Sequence, residues 1–173
     1  MTMIITTTDR LTIRHVHIGD VDALCQLFGD PEVMRYGDGA QDRPWVEAWV
    51  RTALTRYHHD WGFGPYAVTL RDSGALIGYC GLFFFDDVNG RAEIEIGYRL
   101  IRSAWGHGYA TEAARAVATY ATTTLGIKRL IALIDPGNMA SVRVAHKLGM
   151  RYAADVMFDG YTHPDHVYVK NEE

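Results

Sequence analysis

Residues 98–112 read YRLIRSAWGHGYATE, and the reading of the whole chain turns on them. Tyr98, Arg99 and Leu100 continue an alternating apolar run and so end a strand. Gly106 and Gly108 then break the pattern, and an alanine-rich helical stretch begins at once. The first amides of a helix have no intrahelical partners, and the aligned peptide dipoles add partial positive charge there. Glycines let the backbone come close to a bulky ligand, so this succession suits a phosphate cradle. A tight turn before a helix would show the same two glycines, because Gly-x-Gly is a short signal. A nucleoside-triphosphate loop is excluded: it closes on Gly-Lys-Ser/Thr, and Gly108 is followed by Tyr109. The dinucleotide fingerprint wants its third glycine where Thr111 stands and an early strand–helix–strand unit, which leaves a dinucleotide-binding oxidoreductase as the weaker alternative.

Upstream of this stretch lie three β-type runs, GPYAVTL (64–70), ALIGYCGLFFF (75–85) and AEIEIGYRLI (92–101). The turn signals RDSG and DDVNG separate them, and Asn89-Gly90 is a strong hairpin cue. Nearer the start, a polar leader (ITTTDR) precedes a strand LTIRHV (11–16). A helix follows with Asp20 as N-cap and Gly29 and Pro31 at its close, then a second near 44–60 with Pro44 in its first turn. Downstream, the helix over about 106–125 ends at Gly126, and KRLIALID (128–135) is a strand. The helix MASVRVAHKLG (139–149) and the strand candidates MRYAADVMF and THPDHVYV complete the chain. The order β-α-α-β-β-β-α-β-α-β-β predicts one α+β domain. Its mixed sheet of six to seven strands is antiparallel at first, parallel at its centre, and flanked by about four helices.

The chain has 173 residues, 48% hydrophobic and 22% charged, which fits a single globular domain over 1–173 with its core at about 10–169 and excludes disorder and fibrous repeats. Its 17 basic and 21 acidic residues leave a net charge of −4, with no basic stripe for nucleic acid. No apolar run reaches the length of a membrane span and no signal peptide opens the chain, so a cytoplasmic protein without nucleic-acid or membrane partners is expected. Cys25 and Cys80 match neither a disulfide framework nor a metal knuckle. His58 and His59, and His163 and His166, lack metal-site spacing, so no metal is expected. Neither a nucleophile elbow nor a catalytic-cysteine motif is present, which disfavours a covalent acyl-enzyme. Glu93 and Glu95 lie two apart on a strand and share one face, either as a solvated sheet face or as paired acids that attract a cationic amine and take its proton.

The run IGYRLIRSAWGHGYATEA (96–113) resembles motif A of the GNAT acyl-CoA N-acyltransferases, in particular their RimJ/RimL-type branch. RLTIRHV with GDVDALCQLFGDPEVMRY near the start, and DPGNMASVRVAHKLGM near the end, sit where that branch has similar segments. The resemblance implies a GNAT-like fold and an N-acetyltransferase that uses acetyl-CoA as co-substrate, without a metal. The acceptor would be a primary amine, on a protein N-terminus or a small molecule, and transfer would be direct within a ternary complex. It implies a pantetheine arm along Tyr98, Arg99 and Leu100. The pyrophosphate would sit on main-chain amides from Ser103 through Ala104, Trp105, Gly106 and His107 to Gly108, with Tyr109 and Ala110 opening the helix behind. Ser103 stands where the family usually has Gln or Arg, and His107 where the branch often has Lys or Arg, which makes a cationic contact there pH-dependent. Asn138 and Ser141 match the pair beside the pantetheine and thiol.

Many GNAT members carry a tyrosine acid where this chain has Ala145, so Ser141 is the candidate donor to the leaving thiolate. Glu95, the acid of the E-I-G-Y run, is the first choice of base and Glu93 the second. The main-chain N–H near Tyr98 is the candidate oxyanion donor. Acceptor-pocket candidates are Arg35, Tyr36, Phe84 and Phe85, with Met34, Trp61, Phe63, Phe158 and Tyr161. A non-catalytic acyl-CoA-binding module is the alternative, and exposed strand edges leave a homodimer open.

Overall fold

The computed structural model describes residues 3–171, whose eight strands form one sheet in the order β1-β2-β3-β4-β5-β6-β8-β7. The strands are β1 (Ile4–Thr7), β2 (Leu11–His15), β3 (Pro65–Leu70), β4 (Leu76–Phe85), β5 (Glu93–Leu100), β6 (Arg129–Ile134), β7 (Arg151–Val156) and β8 (Asp165–Asn171). Every pairing is antiparallel except β5 with β6, so the expected mixed sheet with a parallel centre is present. The helices are α1 (Val21–Phe28), the single turn α2 (Pro31–Met34), α3 (Arg43–Thr52), α4 (Tyr109–Thr123) and α5 (Met139–Lys147).

Two apolar layers hold the helices to the sheet. The inward face of α4 is Ala113, Ala114, Val117, Ala118 and Ala121, all buried. Small side chains at that spacing let the helix sit close to Ile96 and Leu100 of β5, and Val142, Ala145 and Leu148 join the same core. The opposite layer gathers Leu24, Leu27 and Phe28 of α1 with Val46 and Val50 of α3 against Tyr79. Each fully buried Leu or Phe here contributes about 1.5–3 kcal/mol relative to exposure. Among the described residues no helix is long and apolar enough to cross a membrane.

Three local expectations are corrected. The polar leader is an edge strand: β1 pairs with β2, Ile5 packs on the core, and its threonines suit a β surface with one wet side. The helix expected near 44–60 keeps its α form only to Thr52 and continues as a π-helix over Ala53–Trp61. Asp20 does not cap α1 with its side chain. It instead receives two hydrogen bonds of 2.8 Å from Arg14 and one from the His17 amide. The turn at Asn89-Gly90 is as expected, with φ of 55° and 83° at its two positions.

Candidate active site

β5 and β6 share a single register pair, Glu95 with Ile131, and part beyond it. β5 stays paired with β4 through Leu100, so from Gly97 onward its other edge has no strand partner and borders a cleft of about 830 Å³. A second groove of about 790 Å³ runs between β1 and α4, where Arg10 and Glu112 pair with each other and β1 stays paired with β2 from Ile4 to Thr7. The parted strands therefore mark the site.

The loop after β5 bears on the expected phosphate cradle. Arg102–Ala104 forms one 3-10 turn, in which the amides of Ala104 and Trp105 donate back to the carbonyls of Ile101 and Arg102. These two amides are spent, so the expected cradle from Ser103 to Gly108 is interrupted at Ala104 and Trp105. From Gly106 to Thr111 no main-chain amide donates to a protein acceptor among the described residues. Glu112 is the first to bond back, to the Gly108 carbonyl at 3.1 Å. Gly106 and Gly108 have φ of 77° and 82°, a left-handed turn that other residues adopt at a cost, and no side chain caps α4. The free amides are thus displaced about one helical turn toward α4. Ser103 and His107 are exposed and do not line the cleft, and the His107 ring contacts the Trp105 carbonyl and stacks on Tyr109.

The loop is braced from both sides. The Trp105 indole N–H donates to the Leu100 carbonyl at 2.7 Å. Arg10 donates to the His107 carbonyl at 3.0 Å and to Glu112 at 2.7 Å, and lies over the Tyr109 ring. The Thr8 hydroxyl donates to Glu112 at 2.6 Å. Nothing in the sequence singles out Thr8, Arg10 and Glu112 as a brace, because partners about a hundred residues apart leave no local signal.

The two acids separate. Glu93 receives three hydrogen bonds of 2.8–3.1 Å from Arg129 and is 6% exposed. It lies outside the cleft and serves as half of a buried ion pair, which takes it out of the candidate bases. Glu95 lines the cleft at the point of parting, and its Oε1 accepts from the Leu133 amide at 3.3 Å. Burial pushes its carboxyl up to about 7, although the Leu133 N–H and the Arg99 charge pull the other way. Both acids are held within the fold, which excludes the solvated-face reading.

On the opposite face of β5 the Tyr98 hydroxyl donates to Ser141 Oγ at 3.2 Å. Burial pushes the Tyr98 phenol up to about 12, so it stays a neutral donor. Asn138 caps α5, its side chain accepting from the Ser141 amide at 3.1 Å. The Tyr36 hydroxyl reaches the Gly137 carbonyl at 3.0 Å, tying the segment after α2 to the turn before α5. Met34, Arg35, Tyr36, Phe84 and Phe85 line the cleft as expected, whereas Trp61, Phe63, Phe158 and Tyr161 do not. Trp61 packs on Tyr57 and Phe84, and Phe158 on Phe85. Lining residues that the sequence did not single out include Tyr57, Tyr79, Phe83, Asp135 and Asp165.

The family pattern described as acetyltransferase (GNAT) domain matches residues 10–151. The chain belongs to the GNAT acetyltransferase family. It is 33% identical over 150 residues, 83% of its own length and 80% of the relative's, to a Bacillus licheniformis protein named uncharacterized N-acetyltransferase p20. The crystal structure of an acetyltransferase from Agrobacterium tumefaciens superposes with a TM-score of 0.82 at 27% identity, covering 99% of this chain and 95% of that one. At 19% identity the fold is also that of RimL, a ribosomal L7/L12 α-N-protein acetyltransferase in complex with coenzyme A, with a TM-score of 0.79 and 97% of each chain covered. The protein is an acyltransferase, and its parted strands and uncapped α4 are the features to which its chemistry must be fitted.

Proposed function

We propose that this acetyltransferase moves an acetyl group from acetyl-CoA to a primary amine by direct attack within a ternary complex, as a RimJ/RimL-type enzyme. The observation that carries the reading is Glu95, a carboxyl held near neutrality at the parting of β5 and β6, in the same cleft as the free amides of α4. Those amides suit a diphosphate, and the unpaired edge of β5 suits the amide-bearing pantetheine arm as an added strand. Acetyl-CoA supplies the activated acyl group; the remaining steps belong to this chain.

A lysine-type amine is protonated at neutral pH and cannot attack until it loses a proton. Glu95 takes that proton, directly or through one water, and a base titrating near 7 is well matched to the task. The Tyr98 main-chain N–H stabilises the oxyanion in this reading, since an oriented amide needs no reorganisation. Because Tyr98 donates to Ser141 Oγ, the Ser141 hydrogen remains free for the departing thiolate, and the products are an amide and a free thiol. The test is calorimetric titration with coenzyme A followed by thiol release from acetyl-CoA across an amine panel. Binding with amine-dependent release is expected. Binding without release from any amine would mark a non-catalytic acyl-CoA module, and NADH binding without coenzyme A binding would restore the oxidoreductase.

A further inference from the structure

Beyond Glu95 the cleft holds an acid that acetyl transfer does not use. Asp165 opens β8, is 9% exposed, lines the cleft, and has no hydrogen-bond or ion-pair partner among the described residues. The pairing of Ile134 with His166 sets Asp165 beside Asp135, the residue that follows β6. Their carboxylates and a His163 ring nitrogen bring their ligand atoms within 4.8 Å of one another. Side chains alternate along a strand, so Asp135 and Asp165 share a face with Leu133, whose amide holds Glu95. From Leu133 to Asp135 is two residues, or roughly 7 Å of strand.

Of the nearby groups that can carry positive charge, His163 belongs to the trio itself and stands half exposed at its edge, while the arginines and His166 are committed elsewhere. Arg99 donates to the Val33 carbonyl, and Arg35 to Glu32 and Tyr36. His163 Nε2 lies 3.4 Å from Asp135 and His166 Nε2 lies 3.6 Å from Asp155. An enclosed carboxylate beside a second one is costly unless a cation joins them.

We infer that the acceptor is a dication. Its reacting amine sits at Glu95, and a second ammonium or guanidinium lodges at Asp165 and Asp135, with Leu133, on the same sheet face and lining the same cleft, along the apolar stretch between. This rests on the acetyl-transfer reading above and narrows it to short diamines and to molecules that carry two cationic groups at that spacing.

The experiment compares 1,5-diaminopentane with pentylamine, which lacks the distal charge, in the wild type and in Asp165→Asn. The wild type is expected to favour the diamine in kcat/KM by about 10- to 100-fold, the worth of one charge-assisted hydrogen bond. Asp165→Asn should lose that preference through KM, leaving kcat, pentylamine turnover and coenzyme A affinity unchanged. Equal use of both amines by the wild type overturns the inference, as does a variant that slows both alike. Calorimetric binding of 1,5-diaminopentane, present in the wild type and lost in Asp165→Asn, supports the subsite even where no thiol is released, an outcome in which only the transfer reading falls. Zinc binding that depends on Asp165, without diamine binding, would mark the trio as a metal site and overturn the inference.

Discussion

Replacing Glu95 by Gln separates two consequences of one burial. The carboxyl titrates at 4.5 when unperturbed and at about 7 in the fold, with desolvation as the main cause. Between those two values the native state holds more protons than the unfolded chain, so stability falls as pH rises. The gap corresponds to about 3 kcal/mol at about 1.4 kcal/mol per pH unit, fully expressed above pH 7 and absent below 4.5. Gln keeps the shape and still accepts from the Leu133 amide, but it never ionises. The variant should therefore match the wild type at pH 4.5 and gain up to about 3 kcal/mol by pH 8, read from urea unfolding at several pH values. In the same protein kcat/KM should lose its rising limb near pH 7 and fall by about 10²–10⁴-fold, while coenzyme A affinity stays put. A stability difference that does not change between pH 5 and 8 would refute the burial argument. Unaltered turnover would refute the base and leave the burial argument standing.

Removing Arg129 by Arg129→Ala strands the Glu93 carboxylate in the core, with only the exposed Arg91 at 3.5 Å to answer it. Urea unfolding should show a loss of about 3–5 kcal/mol, and calorimetry an unchanged coenzyme A affinity. Arg10→Ala cuts the tie to the His107 carbonyl and to Glu112, so the α4 loop loosens. The expected result is coenzyme A binding weakened by about tenfold with acceptor KM unmoved. His58 stacks on His15 at 4.0 Å, its Nδ1 and His15 Nε2 are buried without partners, and burial pushes the His58 imidazole down to about 4. A lowered histidine stabilises the fold above the unfolded value of 6.5, and that contribution is lost as pH falls toward 4. His58→Gln should flatten the acid limb of the stability profile in that window, and an unchanged limb would show that the stacked pair is not its source.

What was legible in the sequence follows the range of the interactions involved. Hairpins, helix starts and alanine-rich helices are local patterns, so Asn89-Gly90, Pro44 in the first turn of α3 and the alanine-rich run of α4 could be read directly. The π-helical run Ala53–Trp61 could not, because Trp49, Ala53 and Tyr57 keep a four-residue spacing whichever carbonyl each amide selects. Edge strand β1 was hidden because threonines on a half-wet edge look like a polar leader. Period-two geometry puts Glu93 and Glu95 on one face and does not separate them; only the E-I-G-Y resemblance ranked Glu95 first. What divides them is the register of β5 on β6, which gives Arg129 to the first and the open cleft to the second. The loop shows the same limit: its glycines were visible, but the 3-10 turn that spends the Ala104 and Trp105 amides depends on how β5 ends.

Register also explains why the base stands where it does. Were β5 and β6 to stay paired, the Leu133 amide would be satisfied by a main-chain carbonyl of β5. The strands part, and a buried amide without an acceptor costs about 1–3 kcal/mol. Glu95 fills that vacancy with its side chain, so one carboxyl both completes the interrupted ladder and faces the space that the interruption opens. The same gap bares the β5 edge for an extended ligand. A base at this position is thus tied to the cleft by its hydrogen bond, because the side chain of the last paired residue reaches the stranded amide. Gln meets the structural demand there and fails the chemical one, whereas Ala would fail both. The comparison of those two substitutions therefore apportions Glu95 between its roles in ladder and catalysis.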